Sequence, residues 1–171
     1  MDPRRRALLA LLAAGALRPS LAQDGIITKR IPSTGEPLPI IGVGTWQTFD
    51  VGNDPSARAP LREVLKLLNG NLIDSSPMYG SSETVAGDLI AELGMRDKLF
   101  VATKVWSNAR EAGIAQMETS FRRLRVERMD LMQVHNLADV GTHAKTLLDW
   151  KDKKRIRYIG ITHYTASAYG E

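Results

Sequence analysis

The chain has 171 residues, 43% hydrophobic and 25% charged, which suits one domain with a real core and excludes a disordered or fibrous protein. It has no cysteine, so a disulfide framework, a thiol nucleophile and a thiolate metal site are all excluded. The formal charge of +4 is concentrated in one place, since Arg4, Arg5, Arg6 and Arg18 face only Asp2 in the first 22 residues; without these the body holds 19 basic against 18 acidic residues, a balance that calls for no nucleic-acid or membrane-surface partner.

Residues 1–22 have the three parts of an export signal. Arg4, Arg5 and Arg6 form a charged start, Ala7 to Leu17 is an apolar run too short to span a bilayer, and Ser20-Leu21-Ala22 is a small-x-small cleavage site. Paired arginines directly before the apolar stretch resemble a twin-arginine signal, the route taken by folded, cofactor-loaded proteins. A general secretory signal and an uncleaved segment are the alternatives. The expectation is that residues 1–22 engage an export machinery, that the protein is periplasmic or secreted, and that residues 23–171 form one domain.

That domain should open with a β-hairpin, Ile26 to Ile31 and Leu38 to Ile40 around the turn Pro32-Ser33-Thr34-Gly35. Strand-like runs follow at Ile40 to Gly44, Leu72 to Asp74, Leu99 to Lys104, Met129 to Val134 and Arg157 to Ile161. Their spacing of about 30 residues suits repeated strand–helix units better than hairpins. Between them, Ala57 to Leu68 puts Leu61, Val64, Leu65 and Leu68 on one helical face. Ser81 to Leu93 has a start signal in Ser82 and Glu83 and a stop at Gly94. Ala109 to Leu124 carries Ile114, Met117, Phe121 and Leu124 at helical spacing, and Thr142 to Trp150 carries Leu147, Leu148 and Trp150. His143 falls on the surface of that last helix. The basic groups Arg122, Arg123, Arg125 and Lys151 to Arg157 read as solvated helix faces and ends. Alternating strands and helices imply an α/β fold with a parallel sheet, closed either as an open doubly wound sheet or as a (β/α)8 barrel.

Polar residues sit just past the carboxyl ends of five consecutive strands: Thr45 and Trp46, Asp74, Lys104, His135 with Asn136, and Thr162 with His163. In a barrel these positions converge on one rim, where such enzymes place their sites. A lysine and an aspartate brought together there would pair, and a tyrosine beside the lysine would have its phenol pKa lowered. Histidine adds a second donor to a carbonyl oxygen. This is equipment for polarising and protonating a carbonyl; no serine or cysteine stands in a nucleophile elbow.

The run Asn71-Leu72-Ile73-Asp74-Ser75-Ser76-Pro77-Met78-Tyr79-Gly80, followed by Glu83, resembles the Asp-x5-Tyr-Gly signature of the aldo-keto reductases. Ala102-Thr103-Lys104-Val105, Asp130-Leu131-Met132-Gln133-Val134-His135-Asn136 and Arg157-Tyr158-Ile159-Gly160-Ile161-Thr162 match that family's next segments in order, and the resemblance covers residues 25 to 171. It implies a (β/α)8 barrel and, for the full-length parent, NADPH-dependent reduction of an aldehyde or ketone to an alcohol, with NADH as the other possible donor. Tyr79 would be the general acid, Lys104 paired with Asp74 would lower its pKa, and His135 would orient and polarise the carbonyl. Trp46 and Trp106 would wall the substrate; Thr45, Asp74, Asn136 and Thr162 would meet the cofactor, and no metal is implied. His163 stands where many relatives carry asparagine.

The barrel of this family has eight strands, and about five are accounted for here. Gly42-Val43-Gly44 lacks the third glycine and the following helix of the other dinucleotide-binding motif. The sequence is therefore expected to be a truncated part of a longer enzyme, short of the segments that hold the cofactor. A cofactor-binding sensor or interaction subunit, and a non-functional fragment, are the competing readings.

Overall fold

The computed structural model describes residues 27–68 and 71–170, so the expected export signal lies outside the described residues. The hairpin forms as expected: β1 (Thr28–Arg30) pairs antiparallel with β2 (Pro37–Pro39), with Thr28 opposite Pro39. Five parallel strands follow, β3 (Gly42–Gly44), β4 (Leu72–Asp74), β5 (Phe100–Val105), β6 (Met129–His135) and β7 (Ile156–Thr162). Four helices connect them: α1 (Pro55–Leu67), α2 (Ser82–Glu92), α3 (Arg110–Leu124) and α4 (Val140–Asp152).

The strand order decides between the two closures. The sheet runs β3-β4-β5-β6-β7, each strand beside its sequence neighbour. A doubly wound sheet reverses its order at a switch point; sequential winding is the arrangement of a (β/α)8 barrel. Register then sorts the side chains. Asp74, Ala102, Leu131 and Tyr158 stand level across β4 to β7, followed by Lys104, Gln133 and Gly160, and then by His135 and Thr162. The alternate residues Ile73, Val101, Val105, Met132 and Val134 face the helices and are at most 1% exposed. Period-two alternation thus sends the apolar set into the core and the polar set onto the inner face.

Against the sheet pack Leu61, Leu65 and Leu68 from α1 and its end, Leu89 and Ile90 from α2, Met117 and Phe121 from α3, and Leu147 and Trp150 from α4. Val64 and Leu148, placed by periodicity on buried faces, point to solvent, because the buried stripe is narrower than the apolar stripe. Helix α1 starts two residues earlier than its periodicity suggests. Asp54 caps it by accepting from the amides of Ser56 and Ala57, and Pro55 sits where no donor is needed. At the amino ends of the strands, Glu36 from the hairpin turn accepts from Arg157, which also reaches Asp130 at 2.8 Å, and from Tyr158. Burial opposes the Arg157 charge, but Asp130 and Glu36 outweigh it and hold the guanidinium above its ordinary pKa.

His143 corrects a sequence expectation. It is fully buried, not on the helix surface. Its Nε2 donates to the Ser107 carbonyl at 2.6 Å, and the absence of a side chain at Gly113 leaves room for the ring.

Helices α2 and α3 approach most closely at Gly87, where an added Cβ would lie 2.0 Å from the Arg123 carbonyl oxygen. Because that contact is backbone, relief requires the helices to part. Gly87→Ala is expected to cost about 3 kcal/mol, read as a lower urea midpoint with unchanged slope; an unaltered midpoint would contradict the close crossing.

Candidate active site

Lys104 is 4% exposed, and its ammonium group is held by two acceptors from the neighbouring strand. Nζ donates to Asp74 Oδ2 at 2.5 Å and to the Ser75 carbonyl at 2.6 Å. Gln133, on the same face of β6 two residues before His135, donates from Nε2 to the other Asp74 oxygen at 3.3 Å. The carboxylate is thus shared by β5 and β6, a network that binds three strands at their carboxyl ends.

Tyr79 leaves the turn after β4 and lies over this network. Lys104 Nζ is 5.1 Å from the centre of its ring, and the His135 ring meets it edge-on with centroids 6.0 Å apart. Trp46, from the loop after β3, is 6.5 Å from the Tyr79 ring and 64% exposed. The turn is anchored by Asp50, which accepts from the Ser81 amide at 2.8 Å and from its hydroxyl at 2.7 Å. Gly80, with φ +57°, lies so close to that carboxylate that a side chain there would collide with it.

Asp74, Tyr79, Lys104 and His135 therefore come together on one rim. The other expected residues divide. Asn136 and Thr162 are half-buried on the same rim, Thr162 level with His135. Trp106 is on the rim but makes no ring contact with the four; its backbone is clasped by Gln116, which accepts from Trp106 N at 2.6 Å and donates to its carbonyl at 2.9 Å. Thr45 departs from expectation. It is fully buried and its hydroxyl donates to Ser75 Oγ at 2.8 Å, so its side chain supports the turn after β4 and does not face the rim.

The electrostatics also correct the sequence reading. The Tyr79 phenol is raised above its ordinary value, first by burial and then by the Asp74 charge. The lowering expected from Lys104 does not outweigh these effects; its ammonium lies 5.1 Å from the ring centre and its charge is answered by Asp74 and the Ser75 carbonyl. His135 is lowered, first by burial and then by the Lys104 charge, with Asp74 opposing. At neutral pH the rim thus presents a protonated phenol and a neutral imidazole. Behind β5, Glu83 is fully buried and accepts from the Thr103 hydroxyl at 2.7 Å; burial raises its pKa.

Several contributors were not singled out from sequence. Gln133 was discoverable, since it shares a strand face with His135 at period two. Ser75, Ser76, Asp50 and Gln116 carry no such signal, because turn and loop side chains acquire direction only from the fold.

Comparison with known proteins gives a consistent result. The aldo/keto reductase family matches residues 40–170. The aldo-keto reductase YhdN of Bacillus subtilis is 32% identical over 153 residues, which cover 79% of this chain and 46% of that protein. The methylglyoxal reductase YeaE of Escherichia coli is 37% identical over 106 residues, 57% of this chain and 35% of that one. Among solved structures, an aldo/keto reductase from Klebsiella pneumoniae in complex with NADP and acetate superposes with a TM-score of 0.63 at 26% identity, over 78% of this chain and 48% of that one. The chain spans less than half the length of each of these relatives.

The His135 assignment can be checked directly. Its proton titration is expected to have a midpoint below the ordinary 6.5 and to move upward in Lys104→Met, which removes a repelling charge. Because the folded value lies below the unfolded one, stability linked to neutral His135 is complete above pH 6.5 and is lost as the pH falls through the lowered value. A midpoint at or above 6.5 in the folded chain would contradict this environment.

Proposed function

The chain belongs to the aldo/keto reductase family, and from that premise we propose that its rim is the carbonyl-binding, proton-donating part of a site that reduces an aldehyde or ketone to an alcohol with NADPH. The observation that carries the reading is the meeting of Tyr79 and His135 over the Lys104–Asp74 pair.

The rim suits the nicotinamide end of such a cofactor. Asn136 and Thr162 are half-buried, and their side chains have no partner among the described residues. The exposed Trp46, against Tyr79, offers apolar surface on the same rim. A bound nicotinamide would supply a hydride to the carbonyl carbon. The protein's own part is to bind the carbonyl oxygen and deliver a proton to it. Tyr79 suits the donor role: a phenol held above its ordinary pKa is fully protonated at neutral pH, and it passes its proton only as negative charge develops on the oxygen. Neutral His135 adds a second polar contact to that oxygen. Lys104 stabilises the phenolate left behind by its proximity, while Asp74 and the Ser75 carbonyl keep the ammonium in place. Trp46 and Trp106 bound the approach with apolar surface.

Residues 1–22 are proposed as an export signal, supported by the paired arginines, the apolar run and the small-x-small site. A twin-arginine route would carry a folded protein together with its cofactor to a periplasmic or secreted location. Replacement of Arg5 and Arg6 by lysine should leave the precursor uncleaved in the cytoplasm; normal processing of that variant would argue for the general secretory route.

The reductase reading is tested by NADPH oxidation with a panel of aldehydes and ketones. Tyr79→Phe should lower turnover by about 10²-fold or more while cofactor binding, followed by tryptophan quenching, is retained. Undiminished turnover would sink the acid role of Tyr79. Cofactor binding without turnover in the unaltered chain would favour a sensor or interaction subunit.

A further inference from the structure

Ser76 takes no part in the proton transfer, yet it touches the residue whose protonation pattern matters most to a carbonyl oxygen. It is fully buried in the turn after β4, and its Oγ lies 3.1 Å from His135 Nδ1. A neutral imidazole carries one N–H and one lone pair, and heavy-atom positions alone do not say which nitrogen has which. The neighbours of Ser76 do.

The Met78 amide donates to the same Oγ at 3.3 Å, a bond that uses the oxygen only as an acceptor. If Nδ1 also carried the proton, Ser76 would accept twice. Its own O–H would then be buried with no acceptor among the described residues, a state that buried polar groups rarely tolerate. If Nδ1 is the bare nitrogen, Ser76 accepts from Met78 and donates to His135, and its hydroxyl is satisfied both ways. His135 Nε2, which has no hydrogen-bond partner among the described residues, then carries the proton.

We propose that Ser76 is a positioning residue that fixes His135 as the Nε2–H tautomer, so that the imidazole offers the rim a donor rather than a lone pair. The purpose of that donor rests on the carbonyl-reduction reading; the tautomer itself does not. With a lone pair at Nε2, His135 would repel the oxygen that Tyr79 protonates. With N–H there, the phenol and the imidazole supply two donors around one oxygen, above a buried ammonium group that disfavours a second proton on the ring. Ser76 thus acts on the substrate only through His135.

Three histidines are present in the chain, which makes the test direct. Long-range proton–nitrogen spectra of the intact chain labelled at histidine, taken where His135 is neutral, should show a bare Nδ1 and a protonated Nε2. Ser76→Ala should mix the two tautomers of His135, and Ser76→Thr, which keeps the hydroxyl, should restore the original pattern. His143, buried in α4 and held by the Ser107 carbonyl in the loop after β5, serves as the fold reference and should keep its signals. A protonated Nδ1 in the unaltered chain overturns the proposal, even where a variant does not fold. An unchanged tautomer in a Ser76→Ala chain with native His143 signals overturns it as well. In the reduction assay Ser76→Ala is expected to lower kcat about tenfold with little change in KM. A chain that shows the expected tautomers but reduces no carbonyl would sink the reductase reading and leave the Ser76 assignment standing.

Discussion

Lys104 places an ammonium group where only 4% of the residue is exposed, and such a charge is tolerated only with close partners. Asp74 and the Ser75 carbonyl, at 2.5 and 2.6 Å, are those partners. Both come from the end of the adjacent strand, so satisfying one charge fixes the carboxyl end of β4 against β5. Gln133 extends the constraint to β6 through the second Asp74 oxygen. The turn that begins at Ser75 is then committed to a path that carries Tyr79 across the ammonium and Ser76 against His135. Much of the rim geometry follows from housing that one charge.

The two ends of the sheet use ion pairs differently. At the amino ends Arg157, Glu36, Asp130 and Tyr158 tie the hairpin to β6 and β7. At the carboxyl ends Lys104 of the pair is buried beneath the Tyr79 ring, and Trp46 and Trp106 are exposed on the same rim. The first arrangement closes the end of the fold. The second holds charge beneath a surface open to a ligand, which is the distinction expected between the two faces of a barrel. Between them the helix layer buries a few polar groups, among them His143, which donates to the Ser107 carbonyl, and Glu83, which accepts from the Thr103 hydroxyl.

Much of this was legible from residues alone. Strand positions followed from short apolar runs, and the convergence of Asp74, Lys104 and His135 followed from each ending a strand. Tyr79 was legible only through its spacing from Asp74, since a turn residue has no periodicity to place it. Errors occurred where direction around a helix or the fine position of a charge mattered. His143 is polar at a helix start, which reads as surface, but a glycine on the neighbouring helix opens a pocket for its ring. Leu148 and Val64 are apolar, but the helix rotation that buries their neighbours turns them outward. Thr45 stands at a strand end like the site residues, yet its hydroxyl turns inward to Ser75.

The sequence by itself determined the strand–helix alternation, the set of side chains available to the rim and the family to which they belong, because these depend on residue type and spacing along the chain. Only the tertiary structure decided the sequential winding of the sheet, the hold of the Ser75 carbonyl on Lys104, and the burial that raises the phenol's pKa. The reason is physical: electrostatic and hydrogen-bond energies depend on distances and directions between residues some thirty to sixty positions apart, and spacing along the chain carries no record of an angle.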